Sequence, residues 1–169
     1  MLRKILHYPD PRLRKIAARV EIFDRTVTTL TQDMYETMYH SSGIGLAATQ
    51  VDVHLRVIVI DISRDKSSPL CLINPIIESK SGVVESKEGC LSVPETVDFV
   101  DRAENISVTA QKEDGSKFSL EAEGLLGICI QHEIDHLDGK LFVDYLSSLK
   151  QNRLKKRILK RDLKESVVI

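Results

Sequence analysis

The sequence predicts an α+β fold, with short antiparallel or mixed β-sheets packed around a central metal-binding helix and a further helix at the C-terminus. Three observations predict it. β-Branched segments crowd the middle of the chain, between residues 55 and 122. Helical periodicity brackets them, at 25–40 and from 125 onward. Strands and helices do not alternate regularly, which argues against a parallel βαβ sheet.

The elements follow in order. Pro9 and Pro11 punctuate an extended N-terminal segment. Val27, Leu30, Met34 and Met38 repeat near 3.6 residues, so 25–40 reads as a helix that Ser41-Ser42-Gly43 ends. The run Leu-Arg-Val-Ile-Val-Ile-Asp-Ile at 55–62 is a strand, as is 70–74, closed by Asn74-Pro75. Segments 76–79, 83–87, 97–100, 105–111 and 117–122 read as further short strands, with Asp114-Gly115 as one of the turns between them. Residues 125–138 return to helical period and stop at Gly139. A last helix is expected from about Ser147 to Lys164.

Length and composition narrow the function. A chain of 169 residues fits one compact domain with a core. Its 42% apolar and 29% charged residues are those of a globular protein. Aromatics are 5% and Trp is absent, which argues against broad base stacking on single-stranded nucleic acid. Cys71, Cys90 and Cys129 are too few, and odd in number, for a secreted disulfide framework. The first nine residues lack the apolar stretch of a signal peptide, and no run approaches the ~20 apolar residues of a membrane span. A reducing cytoplasm is the expected compartment. An organelle protein without its transit peptide would look the same. Neither DNA nor membrane is expected as a partner, and a monomer is expected.

The net charge of −1 hides an asymmetry. Residues 147–169 carry eight Lys/Arg against Asp162 and Glu165, a balance of +6, so residues 1–146 carry −7. The division is read as a catalytic region, 1–146, and a basic C-terminal helix of the same domain, 147–169. An apolar row through Leu146, Leu149, Leu154, Ile158 and Leu163 would pack that helix. Its basic faces are either a solvated surface or a docking surface for phosphates.

The sharpest local signal is His132-Glu133-Ile134-Asp135-His136. Residues four apart share one helix face, so two imidazoles could grip one ion with Glu133 beside it as a base. Leu125, Ile128 and Cys129 lie on the same face, and the histidines extend that apolar stripe inward. The plainer alternative is a hydrogen-bonded histidine pair without metal. A third ligand does not follow downstream. Phe142 stands where one metalloprotease pattern has His, and Glu165 lies in the basic tail.

Glu88-Gly89-Cys90-Leu91-Ser92-Val93-Pro94 is the upstream source. Cys90, between Gly89 and Pro94, is expected in a rigid turn rather than a strand interior. Its thiolate would complete a Cys-His-His set and leave a fourth position for water. Cys71 and Cys129 read as small buried hydrophobes. Residues 43–50, Gly-Ile-Gly-Leu-Ala-Ala-Thr-Gln, are uncharged and small, which permits close backbone approach by a ligand. Taken alone they would equally be a tightly packed turn.

In combination these segments resemble peptide deformylase. That family shows Gly-x-Gly-Leu-Ala-Ala-x-Gln, Glu-Gly-Cys-Leu-Ser and Gln-His-Glu-x-Asp-His-Leu-x-Gly in this order. The motifs stand here at 43–50, 88–92 and 131–139 with every fixed position filled. The resemblance implies a metal-dependent hydrolase that removes the formyl group from the N-terminal formyl-methionine of new polypeptides. It implies one divalent ion per chain, natively Fe2+ and replaceable by Zn2+, Ni2+ or Co2+, on Cys90, His132 and His136. Glu133 would be the general acid/base. Gln50 and the Leu91 N–H would hold the oxyanion, and Ile44 and Gly45 would pair with the substrate backbone. Leu125, Ile128 and Cys129 would form the methionine pocket. Departures from the common pattern are Asp52 where Gly is frequent, Val97 where a basic residue is common, and Gly127 where Ala is usual. None removes a catalytic group, though Val97 and Asp98 bear on substrate preference.

Three rivals use the same residues. A metallopeptidase would share the His-Glu-x-x-His signature. A cysteine hydrolase would use Cys90 as nucleophile. A ribosome-binding module would hold a purely structural ion.

Overall fold

The computed structural model describes residues 1–166, with side chains to residue 160. The backbone forms helix α1 (Arg25–His40), strands β1 (Gly45–Ala47), β2 (Val57–Ile60), β3 (Leu70–Ser81), β4 (Val84–Cys90), β5 (Val93–Arg102), β6 (Asn105–Gln111) and β7 (Lys117–Glu123), then helices α2 (Gly124–Leu137) and α3 (Ser148–Ser166). β1, β2, β3, β6 and β7 form one five-stranded sheet in that order, and β4 and β5 form a separate hairpin. All the named pairings are antiparallel, and the parallel component is one bridge between Ala18 and Leu55.

β2 explains the layering. Its four residues, Val-Ile-Val-Ile, are buried on both faces. Val57 and Val59 pack with Val27, Leu30, Met34 and Met38 of α1. Ile58 and Ile60, which point to the opposite face because side chains alternate along a strand, pack with Cys129, Ile130, Ile134 and Leu137 of α2. An apolar run without alternation is what a strand between two helices requires. A third core joins Val93 and Val100 of the hairpin to Leu141, Phe142, Val143 and Leu146, and to Leu154 and Ile158 of α3. α2 therefore lies between the five-stranded sheet and the layer of hairpin and C-terminal segment.

The structure corrects several sequence expectations. The strand at 70–74 does not close at Asn74-Pro75, because β3 runs through it with a register shift between Ile73 and Ile76. Asn74 adopts φ +52 there, a region Asn tolerates. Its side chain exchanges two hydrogen bonds with the Val20 backbone, at 2.8 and 2.9 Å, so the bulge leaves no polar group stranded. Residues 11–14 form a 3₁₀ turn rather than extended chain. Pro11 suits its first position, and Asp10 caps it by accepting from the Arg12 N–H. Cys90 ends β4, and Pro94 falls within β5 where the register shifts, between the pairs Gly89–Val97 and Cys90–Val93, so regular pairing is interrupted there as the sequence suggests. A two-stranded hairpin has only edge strands, which is where proline is tolerated. Leu149 is 61% exposed, so the apolar row of α3 runs through Leu154 and Ile158 without it. The side chain of Leu163 lies outside the described residues.

Asp52 has φ +62, the left-handed region where glycine is at ease, and its carboxylate accepts a hydrogen bond from Arg12 at 2.6 Å. A Cβ on Gly127 would sit 3.0 Å from the Ala122 carbonyl oxygen, so α2 and the end of β7 approach closely at this residue.

Candidate metal centre

Two elements that are distant in sequence converge to form the site. α2 presents His132, Glu133 and His136 on successive turns, and the end of β4 brings Cys90 against them. Cys90 Sγ lies 3.2 Å from His136 Nε2. One donor atom from each of Cys90, His132 and His136 falls within 4.8 Å of the others. A tetrahedral ion with bonds of about 2.0–2.3 Å would space its ligand atoms by roughly 3.5 Å, so the cluster has the dimensions of one metal site. A thiolate with two imidazoles is also a donor set that first-row metals accept.

The next layer orients these candidate ligands. His132 donates from Nδ1 to Glu88 Oε2 at 2.8 Å, which leaves Nε2 as the ligand atom. Glu88 is buried and bonded in turn by Arg102, Nε to Oε1 at 2.7 Å and Nη2 to Oε2 at 2.9 Å. Arg102 also donates to Asp135 at 2.6 Å, and Tyr145 donates to the same oxygen at 2.9 Å. Burial alone would raise the Glu88 pKa, but Arg102 and His132 outweigh it and hold the carboxyl down at about 2. The same contacts act on His132. Burial would lower its pKa, but its bonds to Cys90 and Glu88 raise it well above the usual value. His136, buried without a carboxylate partner and facing the positive field of His132 and Arg102, is held neutral.

Glu133 is the unpaired group. Its Oε2 is buried without a hydrogen-bond partner, as is Nδ1 of His136. Burial is the main cause that lifts the Glu133 pKa, with Glu88 and Asp135 also raising it against His132 and Arg102, to about 7. A buried carboxyl that titrates near neutrality beside three ligand atoms can hold or release a proton at working pH.

Gln50 reaches the site from the 3₁₀ turn at Ala48–Val51. Its Oε1 accepts from the Ala47 N–H at 2.8 Å, which turns Nε2 toward Ser92 Oγ at 3.1 Å and Cys90 Sγ at 3.6 Å. Thr49 donates to the His136 carbonyl at 3.1 Å and ties this turn to the metal helix. Gly45 is the tightest contact. A Cβ there would overlap Glu133 Oε1 and come within 2.7 Å of Cys129 Sγ.

A cavity of about 530 Å³ opens over this cluster. Ile44, Gly45, Gln50, Cys90, Leu91, Leu125, Ile128, Cys129, His132 and Glu133 all line it, which are ten of the eleven residues singled out in the sequence. The eleventh, His136, lies beneath the cavity floor, 1% exposed. Leu125 stands at the mouth rather than in the core, so the stripe on α2 descends from solvent to the ligands. Sequence reading quoted Glu88 within a motif without giving it a role. The signal was present, since Glu88 and Cys90 are two apart on a strand and share a face. Ser92 was likewise quoted within that motif without a role, whereas Arg102 and Tyr145 had no such signal.

Comparison with known proteins agrees with this geometry. The sequence profile of the family described as polypeptide deformylase matches residues 2–152. A peptide deformylase from Legionella pneumophila is 48% identical, with TM-score 0.93 and full coverage of both chains. One from Ehrlichia chaffeensis is 37% identical, with TM-score 0.90 over 96% of this chain and 97% of that one. The same organism's enzyme in complex with actinonin is 38% identical, with TM-score 0.90 over 95% and 97%. With the profile spanning most of its length and relatives matching 95% or more of it, the chain belongs to the polypeptide deformylase family.

Proposed function

We propose that Cys90, His132 and His136 hold one divalent ion, and that Glu133, Gln50 and Leu91 carry the proton and oxyanion work. The overall reaction follows from family membership: the protein is a metal-dependent hydrolase that removes the N-terminal formyl group from new polypeptides. The observation that carries the residue assignment is the buried, unpaired Glu133 carboxyl beside the Cys-His-His cluster.

When bound, the ion supplies Lewis acidity, polarising the formyl carbonyl and bringing the pKa of water toward neutrality. Glu133 accepts a proton from the attacking water and delivers it to the leaving amine. Gln50 Nε2, its direction fixed by Ala47, and the Leu91 N–H donate to the developing oxyanion. β1 is the edge strand of its sheet, and we assign substrate-backbone pairing to Gly45 on its free edge and to the adjacent Ile44, whose carbonyl already accepts from the Asp61 N–H at 2.8 Å. Leu125, Ile128 and Cys129 take the methionine side chain. From the family resemblance we propose Fe2+ as the native ion, and the mixed sulfur and nitrogen set would also accept Zn2+, Ni2+ or Co2+.

We further propose a cytoplasmic monomer, consistent with three free cysteines. No helix among the described residues is long and apolar enough to cross a membrane. We also propose that α3 docks on ribosomal RNA. Arg153, Lys155, Lys156 and Lys160 are exposed on it, whereas Lys150 and Arg157 already bond Asp98 and Thr96. Reversing Lys155, Lys156 and Lys160 to Glu should weaken co-sedimentation with ribosomes at low salt. Unchanged co-sedimentation would reject the docking.

The deciding experiment is formyl release from formyl-Met-Ala by anaerobically purified protein, with metal analysis, before and after chelation. Activity lost on chelation and restored by ferrous iron or nickel supports the assignment. Activity that survives metal removal would instead make Cys90 a nucleophile with His136 as its base.

A further inference from the structure

A second cavity, of about 360 Å³, shares no lining residue with the catalytic one. Helix α2 divides the two. Cys129, His132 and Glu133 face the catalytic cavity, whereas Gln131, Ile134, Asp135 and Asp138 form a wall of the second. Their spacing of three and four residues puts them on one face of the helix. β3 and Tyr145 supply further walls.

The charge of this cavity runs against that of its surroundings. Residues 1–146 carry −7, yet Arg56, Lys80, Arg102 and Lys140 converge here from four separate segments. The two carboxylates of the lining are already taken. Asp138 accepts from Arg56 at 2.7 Å, and Asp135 accepts from Arg102 and Tyr145 at 2.6 and 2.9 Å. Lys80 and Lys140 are exposed and make no ion pair among the described residues. Two positive charges are therefore left over, and a cleft concentrates their field on an anion. Arg102 adds a buried donor, its side chain 4% exposed. Its bonds to Glu88 and Asp135 use three of its five N–H groups. One of the remaining two is on Nη1, the nitrogen that meets Asp135. The rest of the wall is apolar, through Pro75, Ile76, Ile77 and Ile134, and Ile76 is 50% exposed. A few charged donors beside an apolar wall, in a cavity above ~300 Å³, is the make-up of a small-molecule site.

We infer that this cavity binds a small molecule in which a phosphate monoester is carried on an apolar ring or chain. Lys80, Lys140 and Arg102 hold the phosphate, and Ile76 and Ile134 cover the apolar body. A phosphate monoester carries a charge near −2 at neutral pH, which matches the two unpaired lysines. The concave shape suits a small ligand better than a nucleic-acid strand. The ligand does not reach the metal cluster, because Glu88 and Arg102 stand between the two cavities.

The probe is phenyl phosphate, titrated calorimetrically into the metal-loaded protein at physiological ionic strength, with inorganic phosphate alongside. Phenyl phosphate should bind at one site per chain with a Kd of about 1 mM or tighter, as for an efficient ligand of its size, and more tightly than inorganic phosphate. Lys80→Ala and Lys140→Ala should each weaken it by about tenfold and leave formyl release from formyl-Met-Ala at the parent rate. Lys87→Ala, at the catalytic cavity, should leave the binding unchanged. No saturable binding, an affinity that neither Lys80→Ala nor Lys140→Ala alters, or inorganic phosphate binding as tightly would overturn the inference. Inhibition competitive with formyl-Met-Ala would also overturn it, by placing the anion on the metal. So would a single-stranded RNA oligomer that outcompetes phenyl phosphate through the same two lysines, since the site would then be a nucleic-acid contact.

Discussion

Glu88 accepts the Nδ1 proton of His132 at 2.8 Å while Arg102 grips both of its oxygens. The ring is thereby fixed with Nε2 toward Cys90 and His136. Glu88→Gln keeps the shape but loses the charge that holds the ring and strengthens it as a donor. Metal affinity should fall about 10- to 100-fold, as read by chelator competition. An unchanged affinity would mean that Glu88 serves only to neutralise the buried Arg102.

Gln50 has a different weakness. Its Oε1 satisfies the buried Ala47 N–H, and its Nε2 is aimed at the site. On the proposed oxyanion role, Gln50→Ala should cost about 10²-fold in kcat with little change in KM, because the bond removed would form only as the oxyanion develops. It should also lower stability by about 1–2 kcal/mol, from the stranded Ala47 N–H. A purely KM effect would assign Gln50 to ground-state binding.

The Glu133 carboxyl gives a dependence of stability on pH in the metal-free protein. Its folded pKa of about 7 exceeds the ordinary 4.5, chiefly through burial. Between those values the folded chain holds a proton that the unfolded chain releases. Stability from this group should therefore fall as pH rises through that window, by at most about 3 kcal/mol. Glu133→Gln should flatten the trend, so the Tm advantage of the variant grows from pH 5 to pH 8. Parallel Tm curves would show that the carboxyl is solvated. The same variant should retain metal while losing about 10²- to 10⁴-fold in activity.

Gly45 lies against Glu133 and Cys129 with no space for a methyl group. Gly45→Ala should push the Glu133 carboxyl from its position and cut kcat by about 10²-fold, in line with a displacement near 1 Å. Its bound metal should be unaffected. Full activity would mean that α2 shifts freely, which the packing of Ile130 and Leu137 against Ile58 and Ile60 opposes.

Much of the cluster was legible because its residues obey short-range rules. His132 and His136 are one helical turn apart, and Cys90 lies in a motif with little else to explain it. The helices at 25–40 and 125–138 were legible for the same reason, since apolar spacing set their buried faces. Longer-range features were not. β1 is three residues, Gly-Leu-Ala, with no β-branched side chain, and it is a strand only because Ile58–Ile60 of β2 pairs with it. Arg102 pairs across the hairpin with Val84, four residues from Glu88 on that strand, so only its side-chain length brings it to the carboxylate. Asn74-Pro75 carries the chemistry of a strand end, and a side-chain bond to Val20 turned it into a bulge.

The wall of the cavity at Gly45 bears on drug escape. A mutation that defeats an inhibitor usually enlarges or recharges a side chain that the inhibitor touches. At residue 45 the wall is bare backbone, and any side chain there would press on Glu133. A compound that drew its grip from this backbone, rather than from Val97 or Leu125 at the rim, would face a surface that the enzyme cannot alter without disabling itself. Variation under such selection should therefore concentrate at the rim, where exposed side chains are free to change.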